Sequence, residues 1–484
     1  MTHRAITTLV SLLLLAGAAS AQSPRDRFPS DGPLSLSVET LGSDDDVLLR
    51  GFLEVAENRA ETAGRRIRLH VVVLPARRRE PRADPVFWLA GGPGQAAASL
   101  APMFVEHWLR EERDLVFVDQ RGTGRSNPLH VKTGAERNDL AGLLAAPFDP
   151  ERFRAALPEL EKRADLRCYT SSIAADDLDE VRRALGYEQV NLMGGSYGTR
   201  MALVYMRQYR AAVRSAVLDG VAPIAFENPL HHARSAQEGF DRLVAECEAN
   251  ERTRTAYPDL RGDLARVLER LDAAPAKLEL DGQEVELSRD GFTSALRVML
   301  YYEAGNRSVP RLLQRAARGD LEPFARAAVQ SNRALRDALA LGMLMCVTSA
   351  EDLARIDEDE IVRECAGTFL GEIRVRAQLA IAAFWPRGTV PAGWSSPVAV
   401  EVPTLLLSGT HDPVTPPRWG EEAASHLPRS EHVVVQGCHG VGGHPRVQRL
   451  IREFLDAASV DGLDLDGIAD IRMAPIELPG AERR

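Results

Sequence analysis

The sequence has no surplus of positive charge. Lysine and arginine together number 59 against 69 aspartates and glutamates, a formal net charge of −10, and that balance offers little to a polyanionic nucleic acid. The positive charge present is overwhelmingly arginine, and the run Arg77-Arg-Arg79 reads as a solvated loop rather than a binding patch. Long apolar runs are missing too. The one at Leu9–Ala16 is too short to cross a bilayer, and no other segment qualifies, so no membrane span is expected. Cysteine is scarce, with five in 484 residues: Cys168, Cys247, Cys346, Cys365 and Cys438. None falls into the C-x-x-C or Cys/His spacing that holds zinc, and the chemistry read below implies neither metal nor cofactor. No internal repeat or low-complexity tract interrupts the chain.

What remains is ordinary globular material. Hydrophobic residues make up 45% and charged residues 26%, in a chain long enough for one large domain with an insertion or for two domains. The N-terminus carries Arg4, then the apolar Leu9–Ala16, then Ala19-Ser20-Ala21. That is the layout of a secretory signal peptide cleaved after Ala21, which predicts a periplasmic or secreted protein. In such a compartment one or two disulfides are expected, with Cys346–Cys365 the first candidate pair. Cys438 reads as a small buried hydrophobe.

Along the mature chain the apolar pattern is that of an α/β fold. Leu34–Val38, Ile67–Leu74, Val86–Ala90 and Leu115–Val118 read as strands. The third ends in Gly91-Gly-Pro-Gly94 and the fourth in Asp119-Gln-Arg-Gly-Thr-Gly-Arg-Ser126. A helical face follows from Ala174 to Leu185, then the short strand Gln189–Met193, a helix opening at Arg200, and the strand Ala216–Leu218. This alternation predicts a doubly wound, mostly parallel sheet. Residues 223–399 switch to helical periodicity with few strand candidates and are expected to form an inserted cap. The strands Thr404–Leu407 and His432–Val435 and the helix Arg446–Ala457 then restore the α/β pattern. The expected organisation is a signal peptide over 1–21, a first core part over 22–222, a helical cap over 223–399 and a second core part over 400–484. The acidic tail after Val460 reads as loop.

One stretch organises the chemistry. Gly194-Gly-Ser-Tyr-Gly198 sits between a strand and a helix, the setting of a nucleophile elbow. An activated serine needs a base, an acid to orient it and donors for an oxyanion. Asp412 and His439 each follow a predicted strand, in the order Ser, acid, His that α/β-hydrolases use, and strand carboxyl ends are where sites form in open α/β sheets. Ser196, Asp412 and His439 are therefore the predicted catalytic residues. Asp219, at the end of the strand after the elbow helix, is the rival acid, and His444 the rival base. His411 reads as a loop side chain. Asp119 and Arg121 read as a structural ion pair bracing the glycine loop.

The glycine loop, the D-Q-R-G-x-G-x-S string, the elbow, His411-Asp-Pro-Val-Thr-Pro416 and His439-Gly440 together resemble the α/β-hydrolases of the prolyl aminopeptidase and tripeptidyl aminopeptidase family. That family's pattern has His before the glycines, where this chain has Ala90. The resemblance implies an oxyanion hole made by the backbone N–H groups of Gly92 and Tyr197. It implies an aminopeptidase acting on peptides with a free N-terminus, and acidic cap residues that receive the ammonium. Glu227 and Glu351 are the candidates for that role, with at least one expected to face Ser196. The rivals are a carboxylesterase on the same triad and a silent hydrolase used as a binding protein. The intact Ser, Asp and His speak against the last.

Overall fold

The computed structural model describes residues 27–28, 32–41, 46–61, 63–131 and 139–480. The segment read as a signal peptide lies outside them. Eleven strands run in chain order: β1 (Leu34–Thr40), β2 (Val47–Ala56), β3 (Arg66–Leu74), β4 (Val86–Leu89), β5 (Leu115–Val118), β6 (Val190–Gly195), β7 (Val213–Asp219), β8 (Ala276–Leu280), β9 (Gln283–Leu287), β10 (Thr404–Gly409) and β11 (Ser430–Val435). Nine of them form one sheet in the order β1-β2-β3-β5-β4-β6-β7-β10-β11. The β1–β2, β2–β3 and β3–β5 pairings are antiparallel and the rest parallel.

The apolar runs explain the layering. A strand buried on both faces has no reason to alternate, and β5 and β10 are buried along their whole length. Alternate residues of β10 serve opposite layers. Leu405 and Leu407 pack with the helix Pro445–Ala457, whereas Leu406 joins the elbow helix Tyr197–Gln208 and the helix Ser171–Ala184 on the other face. Register then fixes where the strands end. Leu89 pairs with Gly194, Gly195 with Asp219, Asp219 with Leu407, and Gly409 with Val435. The carboxyl ends of β4, β6, β7, β10 and β11 are therefore level, and the loops leaving them share one rim.

Between β7 and β10 the described residues form nine helices and the antiparallel hairpin β8–β9. The cap has its own core, in which Phe292 and Phe324 stack with ring centres 4.1 Å apart. The hairpin was not expected among helices, yet it carries a local signal. Asp281 and Gly282 link its strands with φ of 50° and 77°, as a two-residue primed turn requires. The helix Leu341–Glu351 is apolar over most of its length and accordingly buried, packed in the sheet-side core. Conversely, the short helix Leu140–Leu144 packs into the cap core.

The expected Cys346–Cys365 bridge does not form, because all five cysteines are free and buried. Cys346 belongs to the sheet-side core, where its Sγ accepts the indole N–H of Trp385, and Cys365 belongs to the cap core. The tail after Val460 has no regular element through residue 480 but is anchored, with Ile468 and Ile471 buried against the sheet layer and Ile476 against the cap. Among the described residues no helix is long and apolar enough to cross a membrane.

Candidate active site

Ser196 sits on a turn that few residues adopt, with φ 56° and ψ −125°. Such a conformation costs on the order of 1–3 kcal/mol and persists only where the surroundings enforce it. The flanking glycines do so. A Cβ on Gly198 would lie 2.0 Å from the carbonyl oxygen of Leu89, and one on Gly194 would lie 2.4 Å from that of Gly198. Gly195 is different, since a Cβ there would meet nothing within 4 Å. The turn is tied down from below by Ser196 N–H donating to Asp219 O at 3.0 Å, and by Thr199 Oγ1 donating to Ser196 O at 2.6 Å.

The loop after β4 lies against this turn, since a Cβ on Gly91 would stand 3.3 Å from the Cβ of Ser196. Within it, Gly91 N–H donates to Gln95 Oε1 at 3.1 Å, and Gly94 O accepts Ala340 N–H from the cap segment at 2.9 Å. The Gly92–Pro93 peptide is cis. The string after β5 buttresses the loop, but not through an Asp119–Arg121 pair. Asp119 instead takes His70 Nδ1 at 2.9 Å together with the N–H groups of Ala98 and Arg125, whereas Arg121 makes a two-pronged contact with Asp177 at 2.7 Å. Both are buried, and each satisfies its charge with a separate partner.

His439 and Asp412 meet at the far side of the rim. His439 Nδ1 donates to Asp412 Oδ2 at 2.7 Å, and Asp412 Oδ1 accepts the N–H groups of Val414 and Thr415 at 2.8 and 2.9 Å. Thr415 Oγ1 adds a bond to Asp412 Oδ2 at 3.0 Å. Burial alone would raise the Asp412 carboxyl, but the imidazole and these donors outweigh it and hold the group below its ordinary range. Burial alone would likewise lower His439, and the Asp412 charge reverses this and raises it. The rival acid is engaged elsewhere. Asp219 accepts the N–H groups of Val441 and Gly442 and so shapes the loop that carries His439. Of the remaining histidines, His444 caps the helix Pro445–Ala457, and His411 bonds Thr410 and pairs with Glu246.

Ser196, Tyr197, Gly92 and His439 line one cavity of about 680 Å³ beneath the cap. The cap also touches the histidine directly. His439 N–H donates to Tyr301 O at 3.0 Å, and the two rings meet edge-on with centres 5.2 Å apart. Thr415 and Tyr301 were missed in the sequence. Thr415 lies in the quoted His411–Pro416 string, whereas nothing local marks Tyr301.

Glu227 and Glu351 are absent from the cavity wall. Glu351 is fully buried beneath it, accepting Ser171 N–H at 2.6 Å and Ser171 Oγ–H at 2.9 Å, and Ser171 Oγ in turn meets the Tyr197 hydroxyl at 2.7 Å. Glu227 pairs with Arg355 at 2.9 Å. The expectation that one of them faces Ser196 fails because both carboxylates are already satisfied by donors on the far side of the cavity lining. Among the described residues no cluster of His, Cys, Asp or Glu is placed to hold a metal ion.

With this geometry in hand, the comparisons with known proteins agree on the scaffold and divide on the substrate. The model of the alpha/beta hydrolase fold family matches residues 84–441. The chain is 30% identical over 386 residues to the serine protease Hip1 of Mycobacterium tuberculosis, covering 70% of this chain and 71% of that one. It is 27% identical over 377 residues to carboxylesterase B of the same organism, covering 70% of each chain. To the tripeptidyl aminopeptidase of Streptomyces lividans it is 28% identical over 216 residues, covering 40% of this chain and 38% of that one. The chain spans 71%, 70% and 38% of the length of these three relatives, and 58% of that of a putative hydrolase of Escherichia coli. An elbow serine, a level rim of strand ends and a match running from β4 through the His439 loop coincide, and the chain belongs to the alpha/beta hydrolase fold family.

Proposed function

We propose that this serine hydrolase is an exported peptidase that takes short peptides beneath its cap and releases residues from their N-terminal end. Ser196 attacks the carbonyl, His439 accepts the proton and returns it to the leaving amine, and Asp412 holds the imidazole in the productive tautomer. The N–H groups of Gly92 and Tyr197 receive the oxyanion, and water then cleaves the acyl-enzyme. The observation that carries this reading is the 2.7 Å Asp412–His439 contact on the rim that also holds the strained Ser196. Peptide as substrate rests on the motif resemblance and on the protease and aminopeptidase among the relatives. Export rests on the composition of residues 1–21.

One observation favours a second reading, a carboxylesterase. A free ammonium entering a closed cavity needs a carboxylate to meet it. Asp219 is the only carboxylate among the described residues of the wall, and it is bound to Val441 and Gly442. The deciding experiment compares a free-amine peptidyl arylamide with its N-acetylated twin. A strong preference for the free amine supports the aminopeptidase. Equal rates on both, with faster turnover of simple acyl esters, establish the esterase instead.

A further inference from the structure

The cavity wall carries positive charge that no carboxylate among the described residues answers. Three arginines line it: Arg200, Arg297 and Arg374. Arg200 is matched, since Asp352 takes its Nη1 with both carboxylate oxygens at 2.8 Å. Arg297 and Arg374 are not, for neither forms an ion pair among the described residues. Arg297 is only 2% exposed, and its polar contacts are the Tyr301 hydroxyl at 2.5 Å and His232 Nδ1 at 3.4 Å. Arg374 lies over the Phe148 ring at 4.8 Å, as Arg297 lies over that of Tyr301 at 4.9 Å. These ring contacts stabilise charge modestly. They leave the Nε of both guanidinium groups buried with no acceptor among the described residues. His232 adds no compensation, because an imidazole carries no negative charge, and burial and then the two arginines hold it well below its ordinary value.

Burying an unpaired charge is costly, and the cost is removed when an opposite charge arrives. The two arginines come from different parts of the cap, in the helices Arg289–Met299 and Ile373–Ala382. Both also line a smaller adjoining cavity of about 50 Å³, with Phe148, Leu341 and Leu344. We infer that Arg297 and Arg374 form an anion subsite that receives a carboxylate of the substrate, an inference that rests on the serine-hydrolase reading of Ser196.

Its distance from the reaction is bounded by the rings between. Arg297 Cζ lies 4.9 Å from the centre of the Tyr301 ring, which lies 5.2 Å from that of His439. The guanidinium and the imidazole are thus no further apart than those two lengths end to end. With a contact of about 3–4 Å added at each end, and an extended chain advancing about 3.3–3.6 Å per residue, the carboxylate falls within about five residues of the carbonyl at Ser196. Either the α-carboxylate of a short peptide or an Asp or Glu side chain meets that requirement.

The test uses the full chain and three pairs of substrates. The first pair is the p-nitrophenyl monoester of glutaric acid and its methyl-capped neutral twin. The second is a short peptide with a free or an amidated C-terminus. The third is a set of amidated peptides with Glu or Gln at each position within five residues of the scissile bond. A hydrogen bond to a charged group predicts a kcat/KM preference for the carboxylate member of about ten- to a hundredfold in at least one pair, and the peptide pairs tell the two sources apart. In Arg374→Gln and Arg297→Gln that ratio collapses towards unity, with fluorophosphonate labelling of Ser196 reporting that the variants remain folded. Free glutarate competes in the wild type and does so more weakly in the variants. No preference in the wild type, or a preference retained in both variants, overturns the subsite. Loss of both turnover and labelling in the wild type overturns instead the reading of Ser196 on which it rests.

Discussion

Glu351 offers a quantitative test of the buried network under the elbow. Burial pushes its carboxyl up to about 7, from an ordinary 4.5, despite Arg200 nearby and the donors on Ser171. Between those two pH values the folded chain holds a proton that the unfolded chain has released, so this group makes stability fall as pH rises, and the fall is complete just above pH 7. At about 1.36 kcal/mol per pH unit the full effect is about 3 kcal/mol, of which roughly 2.5 kcal/mol lies between pH 5 and pH 8. In Glu351→Gln the amide oxygen still accepts Ser171 N–H and the amide N–H₂ donates to Ser171 Oγ, but there is no proton to lose. Unfolding entropy of roughly 2.1 cal/mol/K per residue makes about 1 kcal/mol per degree for a chain this long. The Tm of the variant relative to wild type should therefore rise by about 2–3 °C from pH 5 to pH 8. Thermal unfolding of both proteins across that range measures it, and parallel curves would refute the burial of an ionisable carboxyl at this position. Because Glu351 does not line the cavity, any preference for free-amine substrates should survive the change. A preference lost in Glu351→Gln would restore the cap-glutamate role that the geometry denies.

Three further outcomes follow from the site. Ser196→Ala should lose on the order of 10⁴–10⁶ in kcat and all fluorophosphonate labelling while keeping its Tm, and a variant retaining a tenth of the activity would place the nucleophile elsewhere. In the proposed mechanism His439 must be neutral to accept the serine proton, and Asp412 raises it, so the rate should climb with pH through a limb above about 6.5. In Asp412→Asn burial and the Arg297 charge lower His439 against Asp219 alone, which moves the limb to lower pH and cuts kcat on the order of 10⁴; a wild-type limb below 6.5 contradicts the pairing. Gly198→Ala would put a Cβ 2.0 Å from Leu89 O, whereas Gly195→Ala meets open space. Denaturant unfolding should show the first destabilised by about 1–3 kcal/mol or more and the second near wild type.

Local pattern determined a good deal of this protein. The continuous apolar runs of β5 and β10, the glycines around Ser196 and the order of Ser196, Asp412 and His439 are properties of short stretches, because backbone conformation and the apolar face of an element depend on near neighbours. Even the unexpected hairpin had its Asp281-Gly282 turn in plain view. Which charged groups meet was a different matter, for that depends on packing between stretches far apart in the chain. Asp412 rather than Asp219 reaches His439 because the carboxylate of Asp219 turns to the N–H groups of Val441 and Gly442. Asp119 and Arg121, two residues apart, take partners as distant as His70 and Asp177 instead of each other. Glu227 and Glu351 carry the right charge for an ammonium, yet Arg355 and Ser171 hold them away from the cavity. Arg297 and Arg374 have no motif at all; two cap helices bring them to one wall, and only the tertiary structure leaves them there without a carboxylate partner among the described residues.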